Sequence, residues 1–209
     1  MSTHRSLKER QRQEREDLIL QVAEEVILEK GYREAGMDEI AARVGIAKGT
    51  LYLHFARKED LIFALVKKRL LALSAKIEMI YAGEGTPQVR LEAVLRLQYE
   101  GNFSRHSQFL TNMNYNEELH TLFKEKHDEL ETLLDDFTVR IKALFDEGKA
   151  CGEFDAAIPT EVMYNLFATM LTPRLYKMLV LGGTMKPDEL VSYISRIFFT
   201  GIAADPKKD

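Results

Sequence analysis

The sequence has a single cysteine, Cys151, and no tryptophan among its 209 residues. One thiol cannot form an intramolecular disulfide, so a disulfide scaffold is excluded and a reducing compartment is the simpler expectation. No uncharged apolar run approaches the roughly 20 residues that a membrane span needs. The charged N-terminal stretch is not followed by the apolar core of a secretory signal. We therefore expect a cytoplasmic protein without a membrane partner.

Strand signals are missing as well, because convincing apolar–polar alternation and Asn-Gly or Asp-Gly hairpin dipeptides do not occur. Helical periodicity replaces them. Two adjacent rows at i, i+4 predict a core-facing first helix, and they consist of Leu18, Val22, Val26 and of Ile19, Ala23, Ile27. Gly31 is placed to end that helix. Further helices are predicted at 37–44, 48–55, 58–81, 87–104, 107–114, 117–149, 160–181 and 187–203, so the fold class is all-α.

Charge is distributed unevenly along the chain. The net charge is −4, with +2 over residues 1–69 and −6 over the remainder. This asymmetry permits a polyanionic partner at the N-terminal end and does not demonstrate one. Residues 4–15 hold His4, Arg5, Lys8, Arg10, Arg12 and Arg15. They form either a basic arm that reaches DNA or, since glutamates are interleaved, a solvated first helical turn.

The segment 36–55 contains two short predicted helices joined by a tight turn. Ala41 and Ala42 allow the two helices to approach closely, and Gly45 accepts a turn conformation that a side chain would resist. The wedge beneath the helices is filled by Ile40, Val44, Ile46, Leu51 and Phe55. This pattern is typical of a helix-turn-helix, whose second helix lies in the DNA major groove. A structural helical hairpin without a ligand is the alternative that the spacing leaves open.

The composition of the second helix favours DNA binding over a purely structural hairpin. Its expected exposed residues include no acidic side chain and are Lys48, Gly49, Thr50, Tyr52, Leu53 and His54. Lysine can reach phosphate or the acceptors of guanine, while Tyr52 and His54 offer donors to phosphate. Gly49 lets the backbone approach the duplex closely. Lys58 adds a positive charge at the start of the next helix.

The chain also resembles the tetracycline-repressor (TetR) family of bacterial transcriptional regulators over about residues 18–62. The residues that carry the resemblance are 27–32 (ILEKGY), 37–41 (MDEIA), 44–55 (VGIAKGTLYLHF) and 58–61 (KEDL). The resemblance implies an Ω-shaped, all-helical homodimer. Its three N-terminal helices would bind operator DNA, and its larger C-terminal bundle would bind a small inducer and pair the subunits.

Matched position by position, the resemblance assigns recognition-helix contacts to Lys48, Gly49, Thr50, Tyr52 and His54, and a phosphate contact to Lys58. The family usually has Ser or Thr at the caps of these short helices, where this chain has Gly36, Ala47 and Arg57. Gly36 and Ala47 could therefore touch phosphate only through the backbone. We expect a DNA-binding domain at 1–57 and an effector-binding and dimerisation domain at 58–209.

The C-terminal half is rich in large flexible and aromatic residues on helical rows. Such residues suit either plain core packing or a cavity for an apolar effector. The candidate lining residues are Phe103, Phe109, Met113, Phe137, Met163, Phe167, Met170 and Tyr176. No polar group that would orient an effector is identifiable.

Two C-terminal helices carry more apolar residues than one inward stripe needs. The surplus comprises Leu166, Leu171, Leu175, Leu179, Tyr193, Ile197, Phe198 and Phe199. It predicts a second buried surface, hence a homodimer with a four-helix interface.

The sequence as a whole predicts a ligand-responsive transcriptional repressor, with operator DNA and a small, largely apolar effector as its partners. We expect no catalytic set, cofactor or metal site, because no cluster of suitable residues stands at the required spacing. An activator or co-repressor-dependent regulator of the same fold is one alternative. The other is a helical ligand-binding protein with a vestigial helix-turn-helix.

Overall fold

The structure is a computed structural model that describes residues 7–99 and 127–204. Its helices are α1 (Leu7–Lys30), α2 (Met37–Val44), α3 (Lys48–His54), α4 (Lys58–Tyr81), α5 (Pro87–Tyr99), α6 (His127–Ala150), α7 (Thr160–Met170), α8 (Pro173–Leu175), a π-helical stretch (Tyr176–Leu181) and α9 (Pro187–Ile202). No strand occurs in these two ranges, although an isolated antiparallel bridge joins Phe154 and Ala203. The all-α expectation is confirmed.

The described residues group into two compact units. Residues 7–69 belong to the first, and residues 70–99 and 127–204 belong to the second. Helix α4 contributes Lys58 to Arg69 to the first unit and continues into the second. The bounds predicted for α2 and α4 agree with the structure. The predicted helix 107–114 lies outside the described residues, as do parts of those predicted at 87–104 and 117–149.

Helix α1 supplies the apolar stripe of the first unit. Its buried apolar residues are Ile19, Leu20, Val22, Ala23, Val26 and Ile27. Leu18 was expected in this stripe, but it is 46% exposed. Successive residues of a helix are rotated by about 100°, and on this basis the buried stripe has Leu20 at one edge and Val22 at the other. Leu18 lies just beyond the Val22 edge. Gly31 ends the helix with φ 85°, and its N–H donates to the Ile27 carbonyl as expected.

Ion pairs fasten α1 to α2 and to α4. Glu39 of α2 accepts from Lys30 at 2.8 Å and from Arg43 at 2.9 Å, and Arg43 also reaches Glu29 of α1 at 2.7 Å. The hydrogen bond from Lys30 lowers the pKa of the Glu39 carboxyl. The hydrogen bond from Arg43 likewise lowers the pKa of Glu29. These two carboxylates are therefore easier to ionise in the folded chain than in the unfolded one.

Two more pairs join α1 to the middle of α4. Lys68 donates to Asp17 at 2.6 Å. Arg69 makes a two-armed contact with Glu24, whose side chain is only 6% exposed. A carboxylate this deeply buried is costly unless a cation accompanies it. The Arg69–Glu24 contact therefore ties the orientation of α4 to that of α1.

The core of the second unit is built around Phe145 of α6. Its ring lies 5.6 Å from that of Phe167, 5.8 Å from Phe154 and 6.1 Å from Phe198, in tilted or edge-to-face arrangements. Aromatic pairs favour these geometries over face-to-face contact. Phe198 and Phe199 were expected to contribute to a second, intersubunit surface. They are buried inside this core instead, because successive aromatic residues on α9 straddle its inward face.

The helix predicted at 160–181 is interrupted. Helix α7 ends at Met170, a turn follows, and the chain resumes at Pro173 before passing into the π-helical stretch. Proline lacks a backbone N–H and its ring clashes with the preceding turn, which breaks an α-helix. Thr172 satisfies the end of α7 by donating from both its backbone N–H and its hydroxyl to the Thr169 carbonyl. The prediction of one continuous helix was wrong because it overlooked Pro173.

We expect Phe145→Ala to lower the free energy of unfolding by about 3–5 kcal/mol, because truncating a fully buried aromatic ring leaves a cavity. Val139→Ala is the matched control, since Val139 lies on the same helix and is 65% exposed. Urea unfolding monitored by circular dichroism measures both variants. Equal losses in the two would contradict a core centred on Phe145.

Below about pH 4.5 we expect the first unit to lose stability as Glu29 and Glu39 are protonated. Both pKa values lie below the ordinary 4.5, so the stabilisation is present above that pH and is lost as pH falls through the lowered values. Glu39→Gln should therefore flatten the acid limb of a stability–pH profile measured by urea unfolding. Glu34→Gln, at an exposed loop position, is the control. An unchanged acid limb in the Glu39→Gln variant would show that these pairs do not contribute.

Candidate DNA-binding surface

Helices α2 and α3 are joined by a turn that only glycine adopts easily. Gly45 has φ 79° and ψ 30°, and its N–H lies 3.0 Å from the Ala41 carbonyl and 3.2 Å from that of Ala42. This left-handed conformation satisfies the end of α2 and lets the chain reverse within three residues. The predicted role of Gly45 is confirmed.

Apolar side chains hold the two short helices in place. Ile40 and Leu51 are fully buried, and Phe55 is 8% exposed. Val44 and Ile46 are half-buried at the edge of the same wedge. Gly36 and Ala47 occupy the N-cap positions of α2 and α3, and neither provides a side-chain cap. Packing, rather than capping, therefore holds α3.

The outer face of α3 is basic and aromatic. Lys48, Gly49, Tyr52 and Leu53 are exposed, with Leu53 at 82%, and Thr50 is half-buried. The backbone at Gly49 faces open space, since a Cβ built there meets no atom within 4 Å. No carboxylate belongs to α3 itself. This face can therefore approach a polyanion closely.

Lys48 does, however, have a carboxylate beside it. Its ammonium lies 2.7 Å from Oδ1 and 2.8 Å from Oδ2 of Asp38, in the first turn of α2. The same nitrogen lies 5.9 Å from the centre of the Tyr52 ring. The hydrogen bond from Lys48 to Asp38 raises the pKa of the lysine, which stays charged at neutral pH. The sequence analysis missed this pair, although Asp38 was visible in the segment.

His54 was expected to be exposed, and that expectation is wrong. Its side chain is only 10% exposed, and Nδ1 lies 3.0 Å from Oε1 of Glu16 on α1. Arg12 contacts the same carboxylate oxygen at 3.0 Å. His54 sits on the last turn of α3 and faces inward toward α1, because a seven-residue helix must bury one side to stay attached. His54 therefore anchors the end of α3.

Lys58 is also engaged within the protein. Its ammonium donates to the backbone carbonyl of Tyr32 and lies 4.2 Å from the centre of the Tyr32 ring. The Tyr32 hydroxyl lies 3.3 Å from Oε1 of Glu59. Lys58 thus ties the start of α4 to the turn after α1. Gly36, the remaining predicted DNA contact, is exposed before α2.

The candidate effector residues come together in part. Phe137, Met163, Phe167, Met170 and Tyr176 belong to one hydrophobic cluster of the second unit. Met163 and Phe167 are fully buried, and Met170 on the same face is half-buried. Phe103, Phe109 and Met113 lie outside the described residues.

Tyr99 is a polar member of this cluster that the sequence analysis overlooked. Its hydroxyl donates to the Met170 carbonyl at the end of α7, and its ring stacks on that of Tyr176 at 6.2 Å. Burial raises the pKa of Tyr99 to about 12. Its position in the row Leu91, Leu95, Tyr99 at i, i+4, i+8 was the available signal. The Tyr99 hydroxyl therefore satisfies a backbone carbonyl at the end of α7, close to the interruption of the helix at Pro173.

Residues 7–99 and 127–204 contain no arrangement typical of a metal site and no membrane-spanning helix. No group of three or more His, Cys, Asp or Glu side chains in these ranges is arranged to hold a metal ion. No helix in the described part is long and apolar enough to cross a membrane.

Comparison with known proteins places the N-terminal unit in context. Residues 19–65 match the family described as bacterial regulatory proteins, tetR family. The fatty acid metabolism regulator protein of Bacillus subtilis is 34% identical over 77 residues, which cover 37% of this chain and 40% of that protein. The repressor KstR2 of Rhodococcus jostii is 25% identical over 189 residues, or 89% of this chain and 90% of that protein. The chain therefore spans less than half of the first relative and most of the second.

The fold is shared with solved structures. The transcriptional regulator FadR from Bacillus subtilis, solved in complex with stearoyl-CoA, superimposes with a TM-score of 0.71 at 21% identity, covering 89% of this chain and 98% of that one. The family match at residues 19–65 includes the α2–α3 turn and the exposed face of α3. Residues 19–65 of this chain thus match the TetR family of bacterial transcriptional regulators, and the described fold is that of solved regulators of the TetR/AcrR family.

Proposed function

We propose that this chain is a homodimeric repressor that binds operator DNA through α3 and is released by a small, largely apolar effector. Residues 1–57 would bind DNA, and residues 58–209 would bind the effector and pair the subunits. The observation that carries the DNA-binding part is the exposed face of α3. It combines a lysine, a tyrosine and an open glycine backbone on a helix without acidic residues.

The residues of the outer face of α3, together with Gly36 before α2, have chemical roles in this proposal. Lys48 donates to phosphate or to guanine O6 and N7. Thr50 and Tyr52 donate hydroxyl protons to phosphate oxygens, and Leu53 offers an apolar contact for a thymine methyl. Gly49 removes the side chain that would keep the helix away from the duplex. Gly36 contributes backbone only.

Two of the predicted contact residues bind to other groups of the protein itself. His54 pairs with Glu16, and Lys58 pairs with the Tyr32 carbonyl. We propose that they position α3 and the first turn of α4 against the DNA. Any phosphate contact that they make is additional to these internal bonds.

Exposed apolar residues on α7 and α9 support a homodimer. Val162 and Leu166 lie at i, i+4 on α7 and are 47% and 54% exposed, and Tyr193 and Ile197 repeat that spacing on α9 with 49% and 73%. A self-complementary pairing of two such helices would bury all four residues. A two-fold dimer also suits two half-sites about one helical turn of DNA apart.

The effector part rests on the composition of the second unit. Its cluster combines Met163, Phe167 and Met170 with tyrosines, a set that accommodates a flexible apolar chain. A structure of the same fold contains stearoyl-CoA. Its acyl chain is apolar although its CoA part is charged, so a long-chain acyl thioester is the first effector to try. The signal would pass along α4, whose first half is bound to α1 through Lys68 and Arg69 and whose later residue Glu78 is paired with Arg140 of α6.

Selection from random duplexes followed by sequencing of the bound fraction should enrich a palindrome. The reason is that a two-fold dimer presents two identical recognition helices. Binding of that palindrome, measured by fluorescence anisotropy, should weaken steeply with salt as phosphate counterions are released. Weak, unselective binding at physiological salt would overturn the repressor proposal in favour of a vestigial helix-turn-helix.

Gly49→Ala should have opposite effects on the stability of the protein and on its affinity for DNA. Alanine should stabilise the free protein by up to about 1 kcal/mol, because a helical glycine gives up backbone entropy and the added Cβ meets no atom. The same methyl group should weaken operator binding about tenfold or more by keeping α3 away from the duplex, since about 1.4 kcal/mol corresponds to tenfold. Ala150→Gly, the reverse change at the exposed end of α6, is the control and should leave DNA affinity unchanged. Unaltered operator affinity in Gly49→Ala would contradict close approach at this position.

Stearoyl-CoA should raise the melting temperature and lower operator affinity. A ligand present at about 100 times its Kd stabilises the state that it binds by about 2.7 kcal/mol. It can release DNA only if it prefers the conformation that binds DNA less well. Free CoA and stearate are the controls. Tight binding that leaves operator affinity unchanged would contradict release, and increased affinity would identify a co-repressor.

A further inference from the structure

The ion pair between Asp38 and Lys48 lies on the surface that would face DNA. A carboxylate at this position does not itself attract DNA, so its presence needs another explanation. Asp38 belongs to the first turn of α2, and Lys48 is the first residue of α3. The ammonium contacts both carboxylate oxygens, at 2.7 and 2.8 Å. Both side chains remain open to solvent, with Asp38 67% and Lys48 60% exposed. A negative charge thus accompanies the only lysine of α3.

The Asp38–Lys48 pair contributes little to the stability of the fold. Exposed ion pairs contribute about 0–1 kcal/mol. The α2–α3 arrangement is already fixed by the buried Ile40 and Leu51 and by the left-handed Gly45. The consequence of the pair therefore concerns what Lys48 can bind.

The carboxylate changes which acceptors suit the ammonium. Lysine has three N–H donors in a compact charge. With Asp38 taking part of this capacity, a donor remains for one further acceptor. The N7 and O6 atoms of guanine are neutral, so they tolerate a nearby carboxylate. A phosphate is anionic, so it is repelled by Asp38 or must displace it.

We propose that Asp38 is a specificity-determining residue, which holds the Lys48 ammonium so that it binds neutral acceptors on base edges in preference to phosphates. This inference rests on the DNA-binding role proposed above. Asp38 acts through Lys48 and is a positioning residue rather than a contact residue. It lowers the affinity for DNA of arbitrary sequence more than the affinity for the operator.

The test is a double-mutant cycle on the full-length protein. The variants are Asp38→Asn, Lys48→Gln and the double variant, with Glu34→Gln as a control that removes one exposed charge in the loop before α2. Each is titrated by fluorescence anisotropy against a pool of random duplexes and against the selected palindrome, from about 50 to 200 mM salt, the range over which phosphate contacts lose much of their affinity. Thermal melts confirm that each variant folds.

We expect Asp38→Asn to raise affinity for random duplexes about two- to fivefold at low salt, the effect of releasing one exposed ion pair. The slope of log affinity against log salt should steepen by about one, which corresponds to one added phosphate contact. Affinity for the palindrome should change less, so the ratio of operator to random binding falls. In the Lys48→Gln background, Asp38→Asn should have no more effect than Glu34→Gln.

Three results would overturn the inference. The first is an Asp38→Asn variant whose random-duplex affinity rises no more than that of Glu34→Gln. The second is a loss of palindrome affinity in Asp38→Asn that persists without Lys48, because the carboxylate would then read a base itself. The third is an absence of binding to any duplex by any variant at low salt, which would overturn the proposed function too. If the wild type binds duplexes but selects no palindrome, only the repressor proposal fails, and the random-duplex cycle still decides whether Asp38 restrains Lys48.

Discussion

Burial of Leu51 is the interaction on which the proposed DNA-binding surface depends. Helix α3 has seven residues and no side-chain cap, whereas isolated helices shorter than about 12–15 residues are marginal in water. Its conformation therefore persists because Leu51 and Ile40 are fully buried and His54 is held by Glu16. The direction in which Lys48 and Tyr52 point is consequently set by α1 and α2. A substitution in α1 can therefore change the surface that is proposed to bind DNA without altering a residue of α3.

Ion pairs also join α1 to α2 and to α4. Glu24 pairs with Arg69, Asp17 with Lys68, and Glu29 with Arg43. Each exposed pair contributes little by itself. Their combined effect is geometric, since charged side chains on one helix meet partners on two others. Helix α1 thereby relates the orientation of α2 and α3 to that of α4.

Local signals in the sequence were sufficient for the helix-turn-helix. The bounds of α2, the end of α1 at Gly31 and the left-handed turn at Gly45 all follow from residues within a few positions of each other. The family resemblance depends on this same local segment, so it is recognisable from the sequence without the fold. The break at Pro173 was equally local and was missed by giving apolar periodicity precedence over the proline.

Features that depend on distant residues could not be predicted in the same way. His54 looks like a surface residue of α3 until Glu16, 38 positions earlier, is placed beside it. Phe198 and Phe199 look like surplus apolar surface until Phe145 and Phe154 are seen against them. The restraint of Lys48 by Asp38 spans only ten positions, but it depends on the angle between two helices. Periodicity identifies the face on which a side chain lies and does not identify its partner.

The small bridge between Phe154 and Ala203 bears on the order of events during synthesis. Asp155 donates to the Ile202 carbonyl at 2.8 Å, Ala204 donates to the Glu153 carbonyl, and the Glu153 side chain accepts from Thr86 and Gln88 at the start of α5. Three stretches separated by dozens of residues thus meet at one place. Among the described residues, by contrast, the carboxylates paired with α3 precede it in the chain, since Glu16 pairs with His54 and Asp38 with Lys48. During translation α3 can contact these residues while the second unit still lacks α9, and loop closure between distant stretches is slow. A nascent chain would thus form the surface that is proposed to bind DNA before the core that is proposed to control it has closed.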